Sequence, residues 1–172
     1  MNEDGHACLA GFSFLTIASD EPTAAPLAVP GDAIQWMSPE LINPSKFDLK
    51  ESRPTKQSDC YALGMVIYEV LSERVPFAPR DGTAIISKVV DGERPARPEG
   101  GEGALFTDDL WWILEDCWKA QPDDRPSLDV VLGRLQLSAQ PQRGGSKEGW
   151  ADKLLHNTLK AFKLGAGKSH GP

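Results

Sequence analysis

Cysteine and histidine are scarce in this sequence, with three of each among 172 residues. Cys8, Cys60 and Cys117 share no Cys-x-x-Cys spacing and the histidines are scattered, so the sequence offers no metal-binding pattern. An odd number of cysteines without a secretory signal segment is typical of reduced thiols in an intracellular protein, and we expect a cytoplasmic location. We expect each cysteine to be a small buried hydrophobe.

Long apolar runs and a surplus of positive charge are also missing. No run approaches the roughly 18 residues that span a membrane, so we expect no transmembrane segment. The net charge of −7 argues against a broad nucleic-acid surface, and we expect no nucleic-acid partner. The charge is uneven, because residues 141–172 hold six lysines and arginines against two acidic residues and therefore carry +4. The sequence thus combines an acidic body with a basic tail.

What the sequence does contain is helical periodicity with capping residues. Apolar side chains surround nearly the whole circumference of 58–73, which predicts a central core helix that Ser58 or Asp59 caps. The Ser-Pro-Glu sequence at 38–40 predicts the start of a short helix. The interior is therefore predicted to be mainly α. Further helices are predicted over 82–91, 107–119, 127–137 and 150–164.

Composition divides the chain into five regions. Asp4-Gly5 is a hairpin-turn signal ahead of an apolar segment, yet only three residues precede it, so we expect a hairpin that has lost one strand. Pro, Gly and charged residues at 92–103 predict a surface linker between two of the later helices. The predicted regions are a truncated hairpin strand and loop (1–35), a helical domain (36–137), a flexible linker (138–149), an amphipathic tail helix (150–164) and a disordered terminus (165–172).

Four motifs in a fixed order resemble the C-terminal lobe of a eukaryotic protein kinase. They are "WMSPEL" at 36–41, "SDCYALGMVIYE" at 58–69, "VPF" at 75–77 and "CWKAQPDDRPS" at 117–127. Each motif alone is weak, but their order and spacing are specific, and the last resembles the tyrosine-kinase-like branch. The resemblance implies the helical C-lobe of a kinase-like fold without the N-lobe. For the family it implies ATP and Mg²⁺; for this chain we predict no cofactor.

Five residues in these motifs carry structural roles by resemblance. Glu40 at a helix start and Arg125 in a turn are the kind of pair that bridges two distant segments, and kinases form such a pair. Asp59, at the start of the buried helix, is expected to accept backbone N–H bonds and in the family fixes the catalytic loop. Gly64 is expected to let another element approach closely. Trp118 marks the last motif. None of the five is predicted to be catalytic.

The motif that should bind metal is altered. Gly11, Phe12 and Ser13 stand where the family has Asp-Phe-Gly, so the side chain that would offer Mg²⁺ an oxygen is missing. Residues 11–40 would correspond to the activation segment, in which Ala33 and Gln35 replace a usual threonine and arginine. The sequence also contains no His-Arg-Asp and no Gly-rich loop ahead of a strand. We therefore predict no catalytic, cofactor-binding or metal-binding residue.

Three interpretations remain open from the sequence. The chain is a catalytically inactive kinase-like fragment (a pseudokinase) that binds protein; or it is the C-terminal part of a Ser/Thr or Tyr kinase whose N-terminal half is missing here; or it is a degenerate reading frame with no selected role. The turn at Asp4-Gly5 favours a cut, whereas Gly11 argues against activity.

A protein partner is expected on the C-lobe surface, in a groove between the predicted helices 82–91 and 107–119. Trp111 and Trp112 are adjacent and cannot share one helix face. We expect both to pack in crevices; the alternative is that one lies in the core and the other on a surface that was once covered. The tail helix is expected to dock loosely on the domain rather than on a membrane surface, because its apolar stripe is short.

Overall fold

All the regular secondary structure in the described part of the chain is helical. The computed structural model describes residues 31–78, 82–139 and 151, and within these ranges no strand is present, which confirms the predicted mainly α class. Predictions for 1–30, 140–150 and 152–172 lie outside the described residues. The α-helices are α1 (Pro39–Ile42), α2 (Lys56–Ser72), α3 (Gly82–Val90), α4 (Gly100–Gly103), α5 (Asp108–Cys117) and α6 (Leu128–Ser138), and 3-10 helix covers Gly31–Trp36, Pro44–Phe47 and Pro122–Asp124.

Hydroxyl side chains set where the three longer helices begin. Thr55 precedes α2, where its hydroxyl accepts a bond from the Ser58 backbone N–H and the Ser58 hydroxyl accepts one from Thr55 N–H. Thr107 and Ser127 cap α5 and α6 in the same way. The predicted cap of the central helix at Ser58 or Asp59 is therefore wrong by three or four residues, because Ser58 replaces the glutamate or glutamine usual in this reciprocal motif.

α2 is the centre of the core. It packs against α5 along its length, and α5 in turn packs against α6, while α3 packs against α1 and the 3-10 helix at 31–36. Burial of each large apolar side chain contributes about 1.5–3 kcal/mol. One strip of α2 still reaches solvent at Val66, which is 44% exposed, so the helix is not apolar-buried all round. The buried core comprises Ile34, Cys60, Tyr61, Met65, Ile67, Leu71, Ile85, Val89, Phe106, Leu110, Ile113, Leu114, Cys117, Trp118 and Val131.

The segment between α3 and α5, predicted to be a surface linker, is tied to the core by two arginines. The Arg94 side chain donates to the carbonyl oxygens of Val89 and Trp118, and Arg97 donates to the Asp108 carboxylate at 2.7 Å. Desolvation of its buried site lowers the pKa of Arg94. The segment is therefore a strap across the α2–α5 core and not a free connection.

Candidate functional site

The structure brings Glu40 and Arg125 together in a buried ion pair. Each terminal nitrogen of the Arg125 guanidinium donates to one carboxylate oxygen of Glu40, both at 2.7 Å. The two side chains are 0% and 2% exposed. The fork of the guanidinium matches the two oxygens, so the pair is fully bidentate and links positions 85 residues apart. Glu40 stands in the first turn of α1, because the preceding Ser38-Pro39 opens the helix there.

Arg125 also joins the pair to the rest of the domain. Its Nε donates to the Lys119 carbonyl at 2.9 Å, and its terminal nitrogens donate to the carbonyls of Gln57 and Ala120. The guanidinium carbon lies 5.1 Å from the centre of the Tyr61 ring, within cation–π range. One side chain therefore fastens α1, the start of α2 and the turn after α5. These contacts, which we name the Arg125 lock, hold together the segments that carry the motifs.

Tyr61 lies in the middle of this arrangement, although it is not among the five residues with a structural role predicted from the sequence. Arg94 stacks on the ring at 5.2 Å, while Arg125 stacks at 5.1 Å. Burial raises the pKa of Tyr61 to about 12, so the phenol stays protonated at neutral pH. The available signal was its position three residues before Gly64, which places both residues on one face of α2.

Gly64 and Trp118 meet where α2 crosses the end of α5. A methyl group on Gly64 would lie 2.5 Å from the indole nitrogen of Trp118 and 3.0 Å from the β-carbon of Cys117. The missing side chain thus lets the tryptophan ring lie directly on the α2 backbone. The Trp118 ring also makes edge contacts with Tyr68 and Trp111 at centroid distances of 5.9 and 5.7 Å. This close approach is what seals the α2–α5 interface.

Asp59 has the least defined role of the predicted residues. Its side chain is exposed, and it forms no hydrogen bond with another residue in the described part of the chain, so it does not cap the helix as expected. Partial desolvation raises the pKa of its carboxyl group. Its backbone N–H donates to Thr55 as part of the first turn.

Cys60 and Cys117 are buried free thiols, as predicted; Cys8 lies outside the described residues. The neighbouring Cys60 thiol, together with burial, raises the pKa of Cys117. Both thiols therefore act as small core side chains. No group of three or more metal-ligating side chains occurs in the described ranges.

The altered metal motif at Gly11, Phe12 and Ser13 lies outside the described residues. Of the two later substitutions, Ala33 is half-buried and Gln35 points its side-chain oxygen into the protein. That oxygen, the Ser38 hydroxyl and the indole nitrogen of Trp118 are buried without a hydrogen-bond partner among the described residues. Ser38 therefore occupies the cap position of α1 without making the capping bond that its sequence predicts.

A groove runs between α5 and α6, which we name the α5–α6 groove. It has a volume of about 240 Å³ and is lined by Asp109, Trp112, Ile113, Arg134, Leu137 and Ser138. Arg134 bonds to Asp116 at 2.6 Å, and Lys119 bonds to the same carboxylate at 3.0 Å. Burial alone would raise the pKa of Asp116, but these two bonds outweigh it and lower the pKa.

The groove corrects two expectations. Trp111 packs against Phe106 and Trp118, but Trp112 is 56% exposed at the groove wall, so the two tryptophans do not both pack in crevices. A groove between the helices predicted at 82–91 and 107–119 is not what the fold provides, since α3 packs on α1 while α5 packs on α2 and α6.

Comparison with known proteins assigns the family. The profile described as protein tyrosine and serine/threonine kinase matches residues 3–135, and the chain belongs to this family. It is 30% identical over 129 residues to "Dual specificity protein kinase pyk3" of Dictyostelium discoideum, covering 74% of this chain and 8% of that protein. It is 32% identical over 137 residues to "Mitogen-activated protein kinase kinase kinase 7" of Drosophila melanogaster, covering 79% and 18%.

A third relative has a name that does not describe a kinase. The chain is 27% identical over 129 residues to "Receptor-type guanylate cyclase Gyc76C" of Drosophila melanogaster, covering 70% of this chain and 8% of that protein. The chain thus spans less than a fifth of the length of these relatives. Within the described ranges, no helix has the length and apolar character needed to cross a membrane.

Proposed function

We propose that this chain is a non-catalytic kinase-family domain that acts through contacts with other proteins. The observation that carries the proposal is Gly11-Phe12-Ser13 at the position of Asp-Phe-Gly. Phosphoryl transfer depends on Mg²⁺ that neutralises charge on the phosphates, and Mg²⁺ prefers carboxylate oxygens. Glycine offers no side-chain oxygen. A longer chain that carried every other catalytic motif would still lack this ligand.

The scaffold and the chemistry of the domain have separate residues. The Arg125 lock and the Gly64–Trp118 contact need only the helices that carry them, and both are intact. Their roles are proposed to be structural, as for Asp59. A domain that keeps its lock while its metal motif is altered supports selection for a folded surface rather than for catalysis.

The relatives are compatible with this separation. One is named for cyclase activity, so membership of the family does not by itself imply protein phosphorylation. The binding surface we favour is the α5–α6 groove, where Trp112 and Leu137 are 56% and 69% exposed. An amphipathic helix fits such a groove, with apolar anchors on the floor and a basic residue near Asp109, which has no ion-pair partner among the described residues. The proposal includes a cytoplasmic location.

The alternative is that the chain is the C-terminal part of a working Ser/Thr or Tyr kinase. The intact Arg125 lock is equally compatible with this alternative, and relatives named as kinases support it. A reading frame without a selected role is the third candidate, and the same lock weighs against it. The activities of the whole relatives do not extend to this chain by similarity alone, because the chain matches only a small part of each.

A phosphotransfer assay separates the first two candidates. The protein is tagged at its C-terminus and purified from cells in whatever length they make, then incubated with radiolabelled ATP, Mg²⁺ and a generic acceptor. We expect no label above that of a mock purification. A Gly11→Asp/Ser13→Gly variant is the matched control. If cells produce a longer chain that carries the other catalytic motifs, only this variant should gain phosphoryl transfer, because it restores the Mg²⁺ ligand. Label from the unaltered protein that exceeds the mock would overturn the proposal.

A further inference from the structure

Apolar side chains line the α5–α6 groove on both walls. Ile113, 2% exposed, forms the floor, and Trp112 and Leu137 stand on either side at 56% and 69% exposure. Val130 lies further along the same side of α6, one turn before Arg134, and is half exposed. A Trp and a Leu that face each other across a cleft on a protein surface are typical of a surface that another element covers.

We propose that residues 150–164 of this chain dock as a helix in the α5–α6 groove. The sequence of this segment places Ala151, Leu155, Leu159 and Phe162 on one stripe at helical spacing. Fifteen residues of helix extend about 22 Å, comparable to the length of α6 at about 16 Å. A lone helix of this length is marginal in water, so it needs a surface on which to bury that stripe.

The start of the segment is already on the domain. Ala151 is helical and half-buried, and it packs against the hydrophobic core. Eleven residues separate it from Ala139, and twelve residue steps reach about 40 Å, enough to return along either side of α6. Tethering at this distance gives an effective concentration in about the millimolar range, which a free partner would have to exceed.

Charge favours the same occupant. Residues 141–172 carry +4, whereas the preceding 140 residues carry −11. At the groove, Asp109 has no ion-pair partner in the described ranges. Lys163 flanks the apolar stripe, so it can approach such a carboxylate while Lys153 and Lys160 on the far side remain in solvent. A basic helix therefore suits this surface better than a second copy of the acidic body.

The consequence concerns regulation of the binding surface proposed above, and only that consequence rests on the proposed function. In the free protein the groove is occupied by its own tail. A protein partner that uses the groove must displace residues 150–164, so its apparent affinity falls by the fraction of chains in which the groove is open. Docking itself does not depend on whether the protein transfers phosphate.

Site-specific photocrosslinking tests the docking in the full chain. Trp112 is replaced by p-benzoylphenylalanine, which the exposed position tolerates, and a second variant carries the same group at Leu137 as an independent reporter on the other wall. After irradiation of dilute protein without nucleotide or partner, we expect crosslinks from both positions to peptides within 150–164, in the monomer band. Leu155→Asp/Leu159→Asp should reduce the yield about tenfold or more, because two buried leucines are lost.

The matched control is Asn157→Asp/Ala161→Asp, which adds the same charge on the opposite face of the tail and should leave most of the crosslink intact. Crosslinks that join two chains would show that a second copy covers the groove. Crosslinks to other segments, no crosslink at all, or equal loss in both double variants would each overturn the proposal. A phosphotransfer result of either kind leaves these outcomes unchanged, so failure of the two proposals is distinguishable.

Discussion

Two regions of this domain differ in how far their side chains are buried and partnered. Around Arg125, a guanidinium and a carboxylate are buried and every N–H of the guanidinium has an acceptor, whereas the Tyr61 hydroxyl beside them has no hydrogen-bond partner among the described residues. At the α5–α6 groove, Trp112 and Leu137 stand in solvent without a neighbour that covers them among the described residues. The buried charge of the first region is matched by described residues, whereas the apolar wall of the second is not covered by them.

The two regions should therefore differ in how much their side chains contribute to the free energy of unfolding. A buried charge pair tolerates little change, because either partner alone would be an uncompensated charge. An exposed apolar wall can change with little cost to folding, since its burial depends on something else. The comparison can be tested by substitutions on each side, with urea unfolding of the full chain as the common measurement.

Breaking the Arg125 lock should have the largest effect. Arg125→Met leaves Glu40 buried without a counter-charge and should lower the free energy of unfolding by about 3–5 kcal/mol. The double variant Glu40→Leu/Arg125→Met removes both charges and should recover part of this loss, although the carbonyls of Lys119 and Ala120 still lose their donor. If the free energy of unfolding of Arg125→Met is within about 1 kcal/mol of that of the unaltered chain, the lock does not stabilise the domain.

The adjacent tryptophans give the sharpest contrast within one helix. Trp111→Ala removes ring contacts with Phe106 and Trp118 and should cost about 2–3 kcal/mol. Trp112→Ala lies on the groove wall and should cost less than about 1 kcal/mol. Urea midpoints of the two variants compare them directly. Equal losses would mean that the groove wall is part of the core.

Gly64 tests the close approach of α2 and α5. Gly64→Ala places a methyl group against the Trp118 ring and should cost about 1–3 kcal/mol, with a changed near-ultraviolet circular dichroism of the tryptophans. Gly133 in α6 is the matched control, because a methyl group there meets nothing within 4 Å. Gly133→Ala should stabilise the helix by up to about 1 kcal/mol. Destabilisation of similar size at both glycines would rule out a steric cause.

Asp116 gives a pH-dependent effect on the groove side. Its pKa is lowered by bonds from Arg134 and Lys119, so its ionised form stabilises the fold above the pKa of the unfolded chain. Asp116→Asn should therefore cost up to about 1 kcal/mol at pH 7, since the pair is partly exposed. The difference should vanish as the pH falls through the folded-state pKa. A difference that persists in acid would point to lost packing instead.

Asp59 should show the smallest effect and the opposite sign. Its pKa is raised by desolvation, so the ionised form destabilises the folded state and the penalty is relieved as the pH falls. Asp59→Asn should stabilise the domain by a few tenths of a kcal/mol at pH 7, because the carboxylate is largely screened by water. Urea curves at pH 7 and in acid measure it. A clear loss of stability at pH 7 would reveal a partner for the carboxylate.

The sequence predicted the positions of the helices better than the side-chain contacts that cap and connect them. The four longer described helices follow from apolar spacing, and the pairing of Glu40 with Arg125 follows from residue chemistry and family resemblance. The cap at Thr55 was missed because its reciprocal partner is a serine. The segment that Arg94 and Arg97 fasten was predicted to be a surface linker, because its glycines and prolines are typical of a linker and its sequence does not show the arginine contacts.

The groove could not be placed from periodicity. Both tryptophans satisfy the apolar pattern of α5, and the packing of Phe106 and Trp118 against Trp111 decides that Trp111 is covered and Trp112 is not. Which helices are neighbours depends on contacts far apart in the chain, and these are set by the whole core rather than by local spacing. The candidate groove was therefore predicted between the helices at 82–91 and 107–119, whereas the structure has a groove between α5 and α6.

The most direct test of the account is calorimetric titration of the purified protein with Mg-ATP, in the length that cells produce. Because Gly11 supplies no oxygen to the metal, the account predicts no saturable binding at nucleotide concentrations up to about 1 mM, the upper range of ordinary enzyme affinities. Saturable Mg²⁺-dependent binding with a dissociation constant in the micromolar range would contradict it.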